Sequence, residues 1–497
     1  MTGPERDELD LLIEEQAGAA LPSEDALESV NPWYTPMLYI TWGLILNGIT
    51  LHFLYLQYLL PTLGTVLSYL GFRSLRGNGK AFRLAWVISL AELIWHGSYM
   101  ALAATPWLPQ GDLVYGLAAA ATAARLIQLL ALRSGLHAVM RKAGTEPQSD
   151  PLKSAAIWQA AVLALAFTPL AHSTLAGVVG VIAFIVIVRA LFRFSGGLER
   201  AGYCFEAAPV CISGGKMAWG YLLCCVLAVV GSSMLANHLP PDAAVRPENG
   251  LAGERQALQA LGMPAETVDD LSDAHVKALE GAFHFSYSQD LLRFGSDYGS
   301  ENIYDGTNTP EKPPVVSAYA GKPDTMLATS SYIELPGYRV AVLVQFDWGQ
   351  TGTAYWGDAF TMVGDGDRGN ELVGGALLYE KDGQRYTAPI PRLDNGMVTV
   401  SDWMMGERTS QMISGSVSYP FGAERQRGYV LYIMQMDTDR AYGGTLMNYY
   451  HARQPVVLPY RGPAERVAGW TGENMQQHYS NFRTEEGRRW EAEQAAQ

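Results

Sequence analysis

The sequence has little cysteine and no excess of base. Four cysteines occur in 497 residues, Cys204, Cys211, Cys224 and Cys225, and none lies beyond residue 225. The C-terminal half is therefore no disulfide scaffold. Cys204 and Cys211 are too widely spaced for a CxxC knuckle, and no nearby histidine completes a zinc set. Lys and Arg number 35 against 49 Asp and Glu, a formal net charge of -14. With no basic patch in its polar half, the chain is not read as a nucleic-acid binder. GxSxG, HExxH and GxxxxGK are all absent, so no motif names a catalytic class. His284 and His451 have no neighbours in sequence that would complete a triad. The start also lacks the basic residues, short apolar core and small-residue cleavage site of a removable leader.

What is present divides in two. Mean hydropathy is close to neutral, +0.02, but it averages two regimes. From Pro36 to Leu235 long apolar runs alternate with short polar connections. From Asn237 onward the chain is polar and rich in turns, with no comparable run. A membrane domain followed by a water-soluble domain of about 250 residues is the expected division. In detail, residues 1–35 form an acidic tail, 36–236 the membrane domain, 237–312 a helical stalk, 313–470 a β-domain and 471–497 a charged tail. The acidic tail, with Leu11, Leu12 and Ile13 among its acids, reads as disordered.

Runs long enough for about 30 Å of hydrocarbon occur at Ala85–Ala104, Leu113–Leu132, Ala155–Leu170, Leu175–Leu191 and Ala218–Leu235. Met37–Phe72 is too long for one upright helix and short for two. Pro61 suits the first turn of a second helix, which gives about seven helical segments in all. A single kinked helix is the alternative. Ala118–Ala124 is expected to be a close helix-packing surface.

The segment Leu60–Arg76 (LPTLGTVLSYLGFRSLR) resembles the second helix of certain uncharacterised multi-spanning bacterial membrane proteins, through Pro61, Gly64 and Gly71. The resemblance implies two helices and a bacterial cytoplasmic membrane, and brings no activity with it.

Charge orients the spans. Arg73, Arg76, Lys80 and Arg83 form a run of bases without an intervening acid, and Arg133–Lys153 and Arg189–Lys216 are also basic. The alternate connections Thr105–Asp112 and Ala171–Thr174 contain no Lys or Arg. Under the positive-inside rule the basic set is cytoplasmic. The multi-pass chain then leaves the cell membrane after Leu235 with its C-terminal domain outside, and two crossings within Met37–Phe72 keep the acidic tail cytoplasmic.

Ionisable residues within spans are functional candidates by default. Glu92 and His96 share a helix face, and Arg125 with Gln128 lies at similar depth on the next span. A Glu92–Arg125 pair with His96 beside it fits a proton- or ion-coupled site, or a structural pair that fixes helix register.

Beyond residue 325 the apolar period becomes two. Met326–Leu335, Arg339–Trp348, Thr353–Val363, Gly375–Glu380, Met397–Trp403, Ser410–Tyr419, Gly428–Met436 and Thr445–His451 read as strands. Pro336-Gly337, Asp382-Gly383 and Asn395-Gly396 separate them. An antiparallel, jelly-roll-like β-sandwich is expected. Trp348, Tyr355, Trp356 and Trp403 beside Asp347 and Asp358 form a candidate sugar-gripping surface. Asp365, Asp367 and Asn370 offer oxygen donors for Ca²⁺ without the complete twelve-residue loop pattern; no other cofactor is indicated. The functional expectation is a membrane receptor, sensor or anchor in contact with the lipid bilayer, whose outer domain binds a glycan, another ligand or an envelope protein. Alternatives are a transporter or intramembrane enzyme using Glu92, His96 and Arg125, and a structural subunit of a membrane assembly.

Overall fold

The computed structural model describes residues 30–32, 34–48, 55–108, 112–142, 150–166, 168, 174–200, 204–206, 208–238, 242–295, 299–305, 324–349, 353–366, 369–402, 406–438, 440–468 and 474–496. The acidic tail before Val30 and the stretch Thr307–Pro314 lie outside them. Two compact units emerge: Met1–Ala103 with Trp107–Val229, and Ala104–Pro106 with Val230–Gln497.

The first unit is helical. Its elements are α1 (Tyr34–Gly48), α2 (Leu56–Leu75), α3 (Lys80–Ala103), α4 (Asp112–Lys142), α5 (Pro151–Ala166), α6 (Thr174–Arg200) and α7 (Gly214–Asn237), which runs into the second unit. A short ribbon pairs β1 (Val30–Pro32) with β2 (Cys204–Glu206). Among the described residues three helical stretches are long and apolar enough to cross a membrane: Gly116–Lys142, Gly177–Phe194 and Gly214–Asn237. This does not support the expected membrane domain of about seven segments. α1 and α5 are short, at 15 and 16 residues, and α3 carries Glu92 and His96 in its apolar run.

Met37–Phe72 contains two helices, α1 and α2. Pro61 lies inside α2 rather than in its first turn, because the helix already begins at Leu56. Close approach of the pair depends on glycine. A Cβ on Gly43 would meet the Ser68 hydroxyl at 2.1 Å, and one on Gly71 would meet the Pro36 carbonyl oxygen at 2.7 Å. The expected packing surface Ala118–Ala124 is instead exposed or half-buried, and a Cβ on Gly116 would touch nothing within 4 Å. The apolar centre gathers Met37, Ile40, Phe72, Phe82, Leu132, Leu136 and Leu191.

The second unit is built on two antiparallel sheets. Its strands are β3 (Ala244–Val245), β4 (His284–Arg293), β5 (Gly299–Asp305), β6 (Thr325–Leu335), β7 (Arg339–Asp347), β8 (Asp358–Gly364), β9 (Asn370–Lys381), β10 (Gln384–Pro389), β11 (Asp394–Asp402), β12 (Gly406–Val417), β13 (Glu424–Gln435), β14 (Tyr442–Tyr450) and β15 (Met475–Arg483). An eight-stranded sheet runs β3-β10-β9-β13-β7-β6-β4-β5, and a five-stranded sheet runs β11-β12-β8-β14-β15. The β9–β10 hairpin turns through Asp382 (φ 52°) and Gly383 (φ 76°), both left-handed as a tight two-residue hairpin needs. Asn395-Gly396, expected as a separator, lies inside β11, with Gly396 paired to Met412.

β7 shows why its sequence reads as an almost unbroken apolar run. Val340, Val342, Val344 and Phe346 face the core shared with β8, β12 and β14 of the other sheet. Ala341 and Leu343 face the opposite way, under α8 (Ala252–Ala260), α9 (Ala265–Asp270) and α10 (Asp273–Ala278). A strand buried on both faces has no polar side to alternate with. Ser272 caps α10, its hydroxyl accepting from the His275 N–H at 3.2 Å.

Two domain boundaries are corrected by these elements. Residues 237–312, expected as a stalk, hold a helical cap seated on the larger sheet and three of that sheet's strands, β3, β4 and β5. Residues 471–497, expected as a charged tail, hold β15 and α12 (Glu485–Ala495), and β15 pairs with β14 along its length. The short helix α11 (Pro463–Ala468) precedes them.

Candidate functional site

Glu92, His96, Arg125 and Gln128 all point into the helical unit. The Arg125 Nε lies 3.3 Å from the Glu92 Oε1. The Arg125 Nη2 also donates to the Asn47 Oδ1 at 3.4 Å, and the Thr65 hydroxyl donates to the same oxygen at 3.3 Å. His96 turns to α2, its Nε2 2.9 Å from the Thr62 hydroxyl. Gln128 donates to the Ala85 carbonyl at 3.3 Å. The polar group thus ties α1, α2, α3 and α4 together. Asn47, Thr62 and Thr65 escaped the sequence reading, although an Asn in an apolar run and Thr at i and i+3 after a Pro are visible signals.

The aromatic surface does not form as expected. Trp348 is 2% exposed and donates its indole N–H to the Tyr449 hydroxyl at 3.2 Å, so it belongs to the core. Trp403 lies outside the described residues. Tyr355 and Trp356 are half-buried and gather around Phe421, with ring centroids at 5.5 and 5.3 Å. Asp358 has no exposed surface, and Asp347 accepts from the Gly349 N–H at 2.6 Å.

Of the candidate calcium donors, Asp365 is engaged elsewhere, while the Asn370 Oδ1 is buried without a hydrogen-bond partner among the described residues. Asp365 pairs with Arg440. Asn370 donates to the Gly364 carbonyl at 3.1 Å, and Asp367 lies outside the described residues. Among the described residues no cluster of three or more His, Cys, Asp or Glu could hold a metal.

Long-range pairing creates two buried histidine clusters that the sequence conceals. In one, the Asp358 Oδ2 accepts from the Tyr449 hydroxyl and meets the His451 Nδ1, both at 3.0 Å. Its Oδ1 accepts from the Ala452 N–H at 2.8 Å. Burial alone would depress the His451 pKa, but the Asp358 carboxylate outweighs it and the pKa rises. In the other, the His478 Nδ1 lies 2.6 Å from the Asp290 Oδ2 and its Nε2 2.9 Å from the Ser330 hydroxyl. Hydroxyl, imidazole and carboxylate stand in the order of a nucleophile-activating triad. Ser330 and His478 are 0% exposed, however, and Ser330 sits in the β4–β6 ladder. No substrate reaches that hydroxyl in this conformation.

One open feature of the domain is a cleft of about 420 Å³ between the helical cap and the β3–β10 edge, lined among others by Arg246, Asp270, Ser272, His275, Thr387 and Tyr429. The Arg246–Asp270 pair, 3.0 Å apart, stands in one wall. Behind it Asp270 meets Arg427 at 2.8 Å, and Arg427 meets Glu266 at 2.6 Å. Burial would favour a neutral Arg427, but Asp270 and Glu266 hold its pKa above the ordinary guanidinium value. His275 contacts the Tyr429 hydroxyl at 2.8 Å; burial lowers the pKa of the imidazole and pushes the phenol up to about 12. Gly374 leaves the histidine its space, since a Cβ there would lie 2.6 Å from the His275 Nε2. The Arg246 Nη2 is buried without a hydrogen-bond partner among the described residues. An unsatisfied buried donor at a cleft is a place for a ligand oxygen.

No family model matches the chain, and no curated protein matches it. Among solved structures, the collagen-binding domain from a Staphylococcus aureus adhesin aligns over 29% of this chain and 91% of its own, at 8% identity and a TM-score of 0.17. A likeness that weak carries no argument about fold or ligand.

Proposed function

We propose that this chain is a membrane-anchored binding protein whose β-rich domain takes a polar ligand or partner segment in the cleft between cap and sheet. The observation that carries this is the Arg246 Nη2, buried without a hydrogen-bond partner among the described residues, on a half-buried side chain that lines an open cleft of about 420 Å³. Polar groups converging on a preformed concavity are the usual form of a ligand site. The chain passes repeatedly between the two sheets, β7 to β8 to β9 and β12 to β13 to β14, which supports reading the domain as a jelly-roll-like sandwich. The basic connections support placing it outside the cytoplasm of a cell membrane, where envelope glycans and proteins are the ligands within reach.

The test is a binding screen of the detergent-solubilised full chain against envelope glycans and envelope proteins, repeated with Thr387→Trp, which fills the cleft. Tyr479→Ala, on β15, is the control. The expected result is at least one ligand bound by the parent and the control and lost in Thr387→Trp. Absence of any binder, or binding indifferent to that substitution, overturns the proposal.

A further inference from the structure

The end of α7 is bolted into the β-rich unit at a depth that its own sequence makes apolar. Gly214–Asn237 is long and apolar enough to cross a membrane. Ser233 lies four residues before its end, about 6 Å back along the axis. There the Ser233 hydroxyl oxygen accepts from the Val457 N–H at 2.8 Å. Asn237 donates to the same oxygen at 3.1 Å and is held in turn by Arg466. The Arg466 guanidinium also donates to the Gly357 carbonyl at 2.5 Å. The loop touching Ser233 therefore lies beside the last turn of the span and not beyond it.

That loop reads Pro455-Val-Val-Leu-Pro-Tyr460, six residues without a charge, each only half-buried. An exposed base, Arg461, follows it, and Arg392 stands 4.7 Å from the Tyr460 ring centroid. Beside the helix end, Phe421 at the β12–β13 turn is 51% exposed. Its ring stacks on His238, the residue after α7, with centroids 3.9 Å apart. Trp356 completes the group, 5.5 Å from His238. Aromatic rings with bases at the end of an apolar helix are the composition of a membrane–water interface.

We propose that Pro455–Tyr460 and Phe421 form a lipid-contact surface, seated at the headgroup–acyl boundary of the bilayer that α7 crosses. The occupant is lipid, because Ser233 fixes the loop at a depth where an aqueous partner would have to displace the membrane. The inference rests on α7 being a span, and on nothing in the cleft.

The test places single spin labels on the full chain in vesicles of phosphatidylcholine and phosphatidylglycerol, after Cys204, Cys211, Cys224 and Cys225 are each replaced by Ser. Labels go on Phe421→Cys, Leu458→Cys and Val456→Cys, on Leu227→Cys within α7, and on Tyr479→Cys as an aqueous reference. Relative to Tyr479, the loop and Phe421 sites should show a severalfold rise in collision with oxygen over a water-soluble nickel chelate. If both loop sites and Phe421 match Tyr479 while Leu227 is shielded from nickel, the span stands and the lipid-contact proposal falls. If Leu227 is itself open to nickel, the span falls and the proposal with it. Two loop positions keep the result decisive should one variant fail to fold.

Discussion

Asp358 shows how one side chain sets the polar logic of a core. Its carboxylate has no exposed surface, yet it meets Tyr449, His451 and the Ala452 N–H. A buried charge persists only when its hydrogen-bonding capacity is met. Asp358→Ala removes the acceptor and strands three donors, an expected loss of about 3–5 kcal/mol. Thermal melts of the detergent-solubilised chain should fall on the order of 10 °C; a midpoint within a degree or so of the parent would count against the assignment. The pH dependence follows from the sign of the shift. The His451 pKa is raised in the folded state above the free value of 6.5, so the pair's contribution is complete below that pH. It is lost as pH rises through the raised value. His451→Gln should therefore flatten that part of the decline in melting midpoint above pH 6.5, and an unchanged slope would refute the pairing. Sequence reading saw no partner for His451, because Asp358 lies 93 residues away.

Strands and helices were legible wherever burial was apolar, and hidden wherever polar groups satisfy one another. β6, β7 and β13 announce themselves through β-branched and aromatic residues that face two apolar layers. β15 does not: its buried positions are Gln476, His478, Ser480 and Phe482. The period of two is present, but three of its four inward residues are polar. The His478–Asp290 contact that makes them tolerable spans 188 residues. The same cluster hid β4, where Ser288 and Asp290 point inward. Alternating aromatics misled in the opposite direction, since Trp348 fills the core instead of a binding face. In the helical unit, Glu92 and Arg125, placed at similar depth by their positions along the helices, meet at 3.3 Å. Asn47 was missed because α1 reaches them only through the α1–α2 hairpin. These readings make truncation informative. Ending the chain after Ala468 removes β15, which strips Asp290 and Ser330 of His478 and breaks the Tyr332–Phe482 stack, centroids 4.3 Å apart. Ending it after Thr484 removes α12, with its Arg488 pair to Glu334 and its Glu491 contacts to Arg483 and Tyr442. Limited proteolysis should find no resistant β-domain in the first variant and a resistant one in the second. Equal resistance would mean that β15 is dispensable.

At the scale of the whole chain, the basic connections can be compared with one another in space. Arg73 donates to the Ile212 carbonyl at 2.9 Å, and Arg76 donates to the Pro209 carbonyl at 2.5 Å. The connection after α2 and the one before α7 thus meet at one end of the helical unit. The charge alternation in the sequence predicts that the two lie on one side, because both connections fall in the same basic set. From that end α7 runs 24 residues, about 36 Å at helical rise, which exceeds the roughly 30 Å of a hydrocarbon core. The expected topology puts Arg73–Arg83 in the cytoplasm and the β-rich unit outside it. In whole cells bearing single cysteines in a background otherwise free of them, Tyr479→Cys should react with a membrane-impermeant maleimide. Gly77→Cys, in the exposed turn after α2, should react only once the membrane is permeabilised. The opposite pattern would invert the chain and move the cleft to the cytoplasmic side. Labelling of both sites in intact cells would remove α7 as a barrier between them. Neutralising Arg73, Arg76, Lys80 and Arg83 together should weaken the asymmetry, since those bases contribute to holding the first basic connection inside.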